Sequence, residues 1–198
     1  RDSMLFAEGE GAHHMAAGEE GAGRRGHESG PTEPISTLSG EMIRRYSRQL
    51  LVRGFGVDAQ LRLCNGSALV VGAGGLGSAV LHCLVGAGVG RVGVVDHDEV
   101  SVSNLHRQTI HTTAGAGTPK AISAQRFAHG LNPHVRIEPH VTKFTAENGM
   151  ALVSSYDVVV DATDNAATRY LVGDACVLAG RPLVSAAALG TDGQLSVY

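Results

Sequence analysis

The residues best suited to chemistry are four glycines in one short turn and an acid about twenty positions further on. The glycines follow one apolar run and the acid ends the next; they are Gly72, Gly74, Gly75, Gly77 and Asp96. A strand, a glycine turn and a helix in this order let backbone N–H groups approach a phosphate, and the helix N-terminus favours the same anion. An acid after the second strand can accept hydrogen bonds from a ribose. The pattern indicates a nucleotide-binding βαβ unit, with an ordinary solvated acid as the alternative for Asp96.

The segment after Asp96 differs from the continuation expected of a dehydrogenase, because it carries polar and cationic side chains. Asn104 and Arg107 lie three positions apart on a predicted short helix, where they share a face, and Gln108 follows. A guanidinium and an amide on one face can contact a polyphosphate together, since the guanidinium matches phosphate oxygens. Taken alone, the segment favours a solvated polar loop, whereas beside the glycine turn it suits a site that cleaves a triphosphate.

Two more charged residues are expected at this site. Thr118 as an N-cap and Pro119 in the first turn predict a helix from Pro119. Lys120 lies at the start of this helix, where a bound anion would offset the small conflict of its charge with the helix dipole. A surface lysine is the alternative there. Asp164 follows a buried strand, in the crevice where α/β proteins bind ligands, and its carboxylate suits Mg²⁺. An N-cap for the next helix is its alternative or second role.

Short apolar strands alternate with helical segments along most of the chain. This alternation predicts an α/β fold with a doubly wound, mostly parallel, Rossmann-like sheet. A helical segment broken at Gly54-Phe-Gly56 comes before it, and the aperiodic N-terminus predicts a disordered tail. The expected organisation is a tail at 1–35, a helical segment at 36–66 and a nucleotide-binding domain at 67–198.

The composition narrows the class of protein. The net charge of −3 argues against a general nucleic-acid surface. No apolar run reaches the roughly 18 residues of a membrane span, and no secretory signal is visible. Cys64, Cys83 and Cys176 form no CxxC pair and are expected to be structural or core residues. A reduced, cytoplasmic protein is predicted.

Together, these motifs resemble those of the MoeB/ThiF adenylyltransferases, relatives of the ubiquitin-activating enzymes. The resemblance runs in family-like order from Glu41 to Tyr198. The matching segments are Arg45-Tyr-Ser-Arg48-Gln-Leu, Gly72-Ala-Gly-Gly-Leu-Gly77, Asp96-His-Asp98 with Ser103-Asn-Leu-His-Arg107-Gln108, Gly117-Thr-Pro-Lys120 and Asp161-Ala-Thr-Asp164-Asn165. The stretch from Thr168 to Ser185 is similar to the eukaryotic branch that serves molybdenum cofactor synthesis and tRNA thiolation.

The resemblance implies a role for each matching residue. The glycine turn would approach the phosphates of ATP, Asp96 would bind its ribose, and Lys120 would contact its phosphates. Asp164 would bind Mg²⁺ with Asn165 beside it, and Arg48 would reach the ATP of the other subunit in a homodimer. The nucleotide would also be lined by Ser103, Asn104, Leu105, His106, Arg107 and Gln108, with Asn104 and Arg107 on the phosphates.

The implied reaction is ATP-dependent adenylylation of the C-terminal glycine of a ubiquitin-like sulfur carrier ending in Gly-Gly, with release of pyrophosphate. Family members continue with two CxxC pairs that hold zinc, so Zn²⁺ is expected only outside this chain, which would be truncated within its adenylyltransferase domain. Sulfurtransferase activity would need a C-terminal rhodanese domain. No direct contact with nucleic acid or a membrane is expected. The alternatives are an activating enzyme for another ubiquitin-like modifier, a tRNA-modifying dehydratase, an NAD-dependent oxidoreductase and a non-catalytic binding fragment.

Overall fold

The computed structural model describes residues 33–198, so the tail predicted at 1–35 lies outside the described residues except for its last three. Helices and strands alternate along the described part as the apolar periodicity predicts. The helices are α1 Gly40–Leu50, α2 Gly56–Asn65, α3 Gly75–Ala87, α4 Lys120–Leu131, α5 Ala146–Ser154 and α6 Ala166–Ala179. The strands are β1 Ser67–Val71, β2 Arg91–Val95, β3 Arg136–His140, β4 Val158–Asp161, β5 Leu183–Leu189 and β6 Asp192–Val197.

The strands form one sheet in the order β3-β2-β1-β4-β5-β6. All neighbours are parallel except β5 and β6, which are antiparallel. The order reverses between β1 and β4, and ligands of open α/β sheets bind at the carboxyl ends of strands at such a point. The predicted doubly wound, mostly parallel sheet is therefore confirmed, and its topology directs attention to the segments after β1 and β4.

Both faces of the sheet are buried, as the residues of β1 illustrate. Ala68 and Val70 pack into the cluster that contains Leu81 of α3, whereas Leu69 packs into the opposite cluster, which contains Val172 of α6. Successive side chains of a strand point to opposite faces, so a strand covered on both sides needs a continuous apolar run. The core thus fixes the strand ends from which the functional segments emerge.

The N-terminal helical segment consists of α1 and α2, separated where Gly54-Phe-Gly56 predicts a break. Tyr46 of α1 is buried, and its hydroxyl accepts a hydrogen bond from Asn132 Nδ2 at 3.0 Å. Its ring passes so close to Gly88 that a Cβ there would lie 2.4 Å from the hydroxyl oxygen. Gly88 also has a φ of 84°, so this turn requires glycine twice over.

Two local expectations differ from the structure. Thr118 does not cap α4, because the helix begins at Lys120 and Pro119 occupies the N-cap position. The Thr118 carbonyl instead accepts a hydrogen bond from the N–H of Val100, and Pro119 forms an isolated β-bridge with Glu99. Cys83 is exposed and not a core residue. The other two cysteines are buried as expected.

Among the residues that the structure describes, no helix is both long and apolar enough to cross a membrane.

Candidate active site

A cleft of about 730 Å³ lies at the carboxyl ends of the parallel strands, within the size range of small-molecule sites. It is lined by residues from the segments that follow the first four strands and by the end of β5 itself. The segments after β1, β2, β3 and β4 contribute Gly72, Gly74, Gly75, Asp96, Asp98, Thr142, Lys143, Phe144, Thr163, Asp164, Asn165 and Arg169, together with Arg107, Gln108 and Lys120, and β5 contributes Ala187 and Ala188. The cleft therefore occupies the crevice that the strand order predicts.

The glycine turn is shaped by backbone contacts. Gly72 has a φ of 98°, and a Cβ there would lie 2.8 Å from the Ala162 carbonyl oxygen. A Cβ on Gly77 would lie 2.0 Å from the Gly72 carbonyl oxygen, so Gly77 allows the helix to pack on the turn and does not line the cleft. Gly74 is the N-cap of α3 and has no side chain to accept from the first N–H groups. These groups can serve an anion in the cleft.

Asp96 is nearly buried at the end of β2, and its carboxylate is oriented by two backbone donors. Its Oδ2 accepts from Ala73 N–H at 2.8 Å, and its Oδ1 accepts from Asp98 N–H at 2.8 Å. Each carboxylate oxygen has capacity for a further hydrogen bond. Because Asp96 lines the cleft, a sugar hydroxyl is a suitable donor for that remaining capacity.

Lys120 is buried at the start of α4 and lines the cleft, so the alternative of a surface lysine is wrong. The side-chain Nζ of Lys120 lies 2.9 Å from Asp98 Oδ2, and the backbone N–H of Lys120 donates to the backbone carbonyl of Asp98 at 2.8 Å. The hydrogen bond from Lys120 is the main reason that the pKa of Asp98 is lowered. Asp98 was not predicted as a site residue. The signal that could have found it is the need of a buried ammonium for a counter-charge.

Arg107 and Gln108 reach the cleft from the turn after β2. The Arg107 stem packs over Gly75, 3.7 Å from where a Cβ on that glycine would stand, and its Nη1 lies 3.3 Å from His106 Nε2. Gln108 is 4% exposed, and no described residue pairs with its Oε1. A buried amide oxygen without a partner at the edge of a cleft is a group that a ligand can satisfy.

The other predicted residues of the segment after β2, and Arg48 of α1, lie outside the lining of the cleft. Asn104 ends a 3₁₀ turn, and its carbonyl accepts from the N–H groups of Arg107 and Gln108, which supports the turn predicted between positions 104 and 107. Ser103 Oγ lies 2.9 Å from Ser101 Oγ. Leu105 and His106 also lie off the cleft, and Arg48 is exposed on α1. Their proposed contacts with a nucleotide stay predictions.

Asp164 and Asn165 lie side by side on the cleft but differ in their contacts. Asn165, not Asp164, is the N-cap of α6, and its Oδ1 accepts from the N–H groups of Ala167 and Thr168. Within the described part of the chain, the Asp164 side chain is exposed and makes no hydrogen bond. Its carboxylate is therefore available to a cation or a ligand.

The loop that carries Asp164 is braced by an ion pair between the buried Asp161 and the partly exposed Arg169, which the sequence did not reveal. Asp161 is fully buried, and its Oδ2 accepts from Arg169 Nε and from Ser185 Oγ, each at 2.8 Å. Its Oδ1 accepts from Thr163 N–H at 3.0 Å. Arg169 Nη2 also donates to the carbonyls of Thr163 and Ala186. The loop between β4 and α6 is thus held at fixed points on both sides.

A family model described as the ThiF family matches residues 46–198. Among curated proteins, the chain is 54% identical to the adenylyltransferase and sulfurtransferase MOCS3 of Anopheles gambiae over 164 residues, covering 83% of this chain and 37% of the relative. The Bos taurus protein of the same name is 50% identical over 184 residues, covering 93% and 40%. The Arabidopsis thaliana protein is 49% identical over 161 residues, covering 81% and 35%. The chain therefore spans well under half the length of these relatives.

Solved structures give the same fold. The E. coli tRNA N6-threonylcarbamoyladenosine dehydratase TcdA in complex with AMP matches with a TM-score of 0.74 and 26% identity, over 80% of this chain and 65% of that one. Another TcdA structure matches with a TM-score of 0.73 and 26% identity, over 78% and 64%. PaaA matches with a TM-score of 0.69 at 22% identity, over 81% and 51%, a likeness that concerns the fold alone.

Proposed function

The chain belongs to the ThiF family, and from this premise we propose that it is the nucleotide-binding part of an adenylyltransferase acting on a ubiquitin-like sulfur carrier. The carboxylate of the carrier's C-terminal glycine attacks the α-phosphorus of ATP, the bond from that phosphorus to the bridging oxygen breaks, and pyrophosphate leaves. The observation that carries the proposal is the convergence of phosphate-binding groups and carboxylates on one cleft. The relatives that match at 49–54% identity are named adenylyltransferases and sulfurtransferases, which supports adenylyl transfer as the activity.

The cleft offers a complementary group for each part of ATP. The open N-terminus of α3 and the side chains of Arg107 and Lys120 suit the triphosphate, and Asp96 suits the ribose. The Asp98 carboxylate keeps the Lys120 ammonium paired until the phosphates arrive. The protein contributes positioning and charge neutralisation, which are the main requirements of phosphoryl-type transfers.

Magnesium fits the chemistry of Asp164. The ion prefers hard oxygen ligands, typically one or two carboxylates together with phosphates and water. Asp164 presents an exposed carboxylate to the cleft, and its neighbour Asn165 takes over the capping of α6. When bound, Mg²⁺ would neutralise charge on the phosphates. Asp164 would hold it, with Asn165 beside it.

The proposal extends to the assembly and setting of the protein. Arg48 is exposed on α1 and does not line the cleft of its own chain, as expected of a residue that serves the ATP of the other subunit in a homodimer. Molybdenum cofactor synthesis and tRNA thiolation are the proposed pathways, and the cytoplasm is the proposed location. Free thiols at Cys64, Cys83 and Cys176 support a reducing compartment. Zinc and any rhodanese domain would belong to segments outside this chain.

A tRNA-modifying dehydratase of the same fold is the second candidate, because TcdA in complex with AMP matches the structure. The sequence identity to TcdA, 26%, is about half that to the adenylyltransferase relatives, which favours the first candidate.

An NAD-dependent oxidoreductase would leave Lys120, Arg107 and Asp164 without a role. Binding titrations with Mg-ATP and with NAD distinguish an adenylyltransferase from an oxidoreductase.

Exchange of labelled pyrophosphate into ATP tests the proposed function. With Mg²⁺ and a sulfur carrier ending in Gly-Gly, we expect exchange that depends on the carrier. The same carrier lacking its last two glycines is the matched control and should give none. Carrier-independent exchange, or no exchange by the protein in its full natural length, would contradict the proposal.

A further inference from the structure

His111 is a buried side chain that the proposed reaction does not use directly, yet both of its ring nitrogens are engaged. Its Nε2 lies 2.9 Å from the carbonyl oxygen of Ala73, in the middle of the glycine turn. Its Nδ1 lies 2.9 Å from Ser123 Oγ, one turn into the helix that Lys120 begins. His111 is 5% exposed and does not line the cleft, so it bridges two walls of the site from behind.

The partners of His111 determine which nitrogen carries the proton. A carbonyl oxygen only accepts, so the contact with Ala73 requires a proton on Nε2 of His111. The Ser123 hydroxyl can then donate to the unprotonated Nδ1. The neutral ring satisfies both contacts, and burial lowers the pKa of His111. The charged groups that act on this ring are Lys120 from α4 and Asp96 from the end of β2.

These contacts belong to a closed ring of hydrogen bonds that links the segments around the site. Ala73 is held on its other side by Asp96, which accepts from its N–H. Asp96 accepts in turn from Asp98 N–H, and Asp98 accepts from the Lys120 ammonium. Helix α4 connects Lys120 to Ser123, and from there the path returns to Ala73 through the imidazole. The glycine turn, the acid after β2 and the start of α4 are thus tied together.

We propose that His111, as its neutral Nε2–H tautomer, is a positioning residue that sets the distance between the glycine turn and the Lys120 ammonium. This inference rests on the proposed function, since its consequence is the shape of the triphosphate subsite. A turn free to shift away from α4 would present its N–H groups and the ammonium to phosphates at the wrong separation. The loss would fall on ATP binding and not on the fraction of folded protein.

Two substitutions at one position provide the test. His111→Gln places an amide NH₂ near the position of Nε2 and keeps a donor for the Ala73 carbonyl, whereas His111→Asn places it near Nδ1 and loses that donor. In carrier-dependent pyrophosphate exchange, we expect His111→Asn to raise the KM for ATP about tenfold with kcat within about twofold. His111→Gln should recover most of the ATP affinity. Ser123→Ala, which removes only the donor to Nδ1, should raise the same KM by about threefold.

A merely structural role predicts a different pattern, in which both variants lower apparent kcat equally and leave the KM for ATP unchanged; that pattern would overturn the inference. The ring nitrogens of His111 give a second readout that does not depend on ATP. In nitrogen-15 NMR spectra of the wild-type protein, we expect the neutral Nε2–H tautomer at pH 7, and an Nδ1–H tautomer would overturn the inference as well. Absence of exchange by the wild type contradicts the proposed function instead, and the NMR result still decides the hydrogen bonding of His111.

Discussion

Asp98 Oδ2 and Lys120 Nζ lie 2.9 Å apart, with the lysine side chain buried and the aspartate side chain about half exposed. The pair joins the segment after β2 to the first residue of α4 across 22 positions of sequence. A buried ammonium requires a counter-charge, and a bound polyphosphate would supply one of the same sign as the carboxylate. If the triphosphate binds as proposed, we expect the Asp98 carboxylate to balance the charge of Lys120 in the nucleotide-free protein.

Replacement of Asp98 by Asn should destabilise the ligand-free protein and increase the stabilisation that Mg-ATP provides. The exposed side of the pair is screened by water, so we expect a loss of only about 1 kcal/mol, or roughly 2–4 °C in Tm. ATP would then restore the missing negative charge beside Lys120. Thermal unfolding with and without Mg-ATP measures both effects. Equal ATP-induced increases in Tm for Asp98→Asn and wild type would contradict this charge-balancing role of Asp98.

Replacement of Asp164 by Ala should reduce pyrophosphate exchange about 10²–10³-fold, an effect on the order of 3 to 4 kcal/mol on the transition state. Its side chain makes no hydrogen bond to any described residue, so the free energy of unfolding should stay within about 0.5 kcal/mol of wild type. The adjacent Asn165→Ala serves as a comparison for stability only. It removes the N-cap of α6 and should cost about 1 kcal/mol of stability. An Asp164→Ala protein that is folded and still exchanges at the wild-type rate would exclude Asp164 as the metal ligand.

Replacement of Asp161 by Asn should be among the most destabilising changes near the cleft. The Asp161 carboxylate is buried and accepts from Arg169 and Ser185 on one oxygen and from Thr163 on the other. An amide in its place would either turn its own donors towards these groups or leave the guanidinium without a counter-charge. We expect a loss of about 3 kcal/mol, measured by urea unfolding. A loss below 1 kcal/mol would show that the brace contributes little.

The sequence predicted those features that depend on local pattern. The strand positions follow from the periodicity of apolar residues, and the glycine turn and the acid after β2 follow from the spacing of glycines and of Asp96. Asp98, Arg169 and His111 were not recognised as important because their roles depend on contacts between separate segments. His111, for example, reaches a carbonyl 38 positions away. Such pairings depend on the strand order, which a single sequence specifies only through the complete fold.

The site illustrates the same division within one segment. The residues from Ser103 to Gln108 were predicted to line the nucleotide as a continuous run, but Arg107 and Gln108 alone among them line the cleft. A 3₁₀ turn ends at Asn104, and neither Ser103 and Asn104 of this turn nor Leu105 and His106 after it belong to the lining of the cleft. The spacing of side chains predicted a segment that does contribute two residues to the cleft, whereas the orientation of each side chain depends on the turn that follows β2.

Stability should fall as the pH is lowered from 6.5. Burial lowers the pKa of His111 and of His140, which lies close to the charges of Glu138 and Arg91. The unfolded chain therefore binds more protons than the folded protein between pH 6.5 and the lower folded pKa values, so the free energy of unfolding rises with pH in that window. The contribution is fully present above pH 6.5 and is lost as the pH falls through the window. Urea unfolding at pH 7.5 and 5.5 measures the difference in the free energy of unfolding between the two pH values. His111→Gln should make this difference smaller. An unchanged difference in that variant would contradict the assignment to His111.

Glycine substitutions should separate the turn that shapes the site from an ordinary helix position. Gly77→Ala would place a Cβ 2.0 Å from the Gly72 carbonyl oxygen, against backbone that cannot move without shifting the turn. We expect a loss of about 3 kcal/mol or more together with weaker ATP binding, because α3 and the turn must separate. Gly173 of α6 is the control, since a Cβ there has nothing within 4 Å. Gly173→Ala should raise the free energy of unfolding by about 0.5–1 kcal/mol and leave ATP affinity unchanged. If Gly77→Ala bound ATP as wild type does, close packing of α3 on the turn would not be required for the nucleotide site.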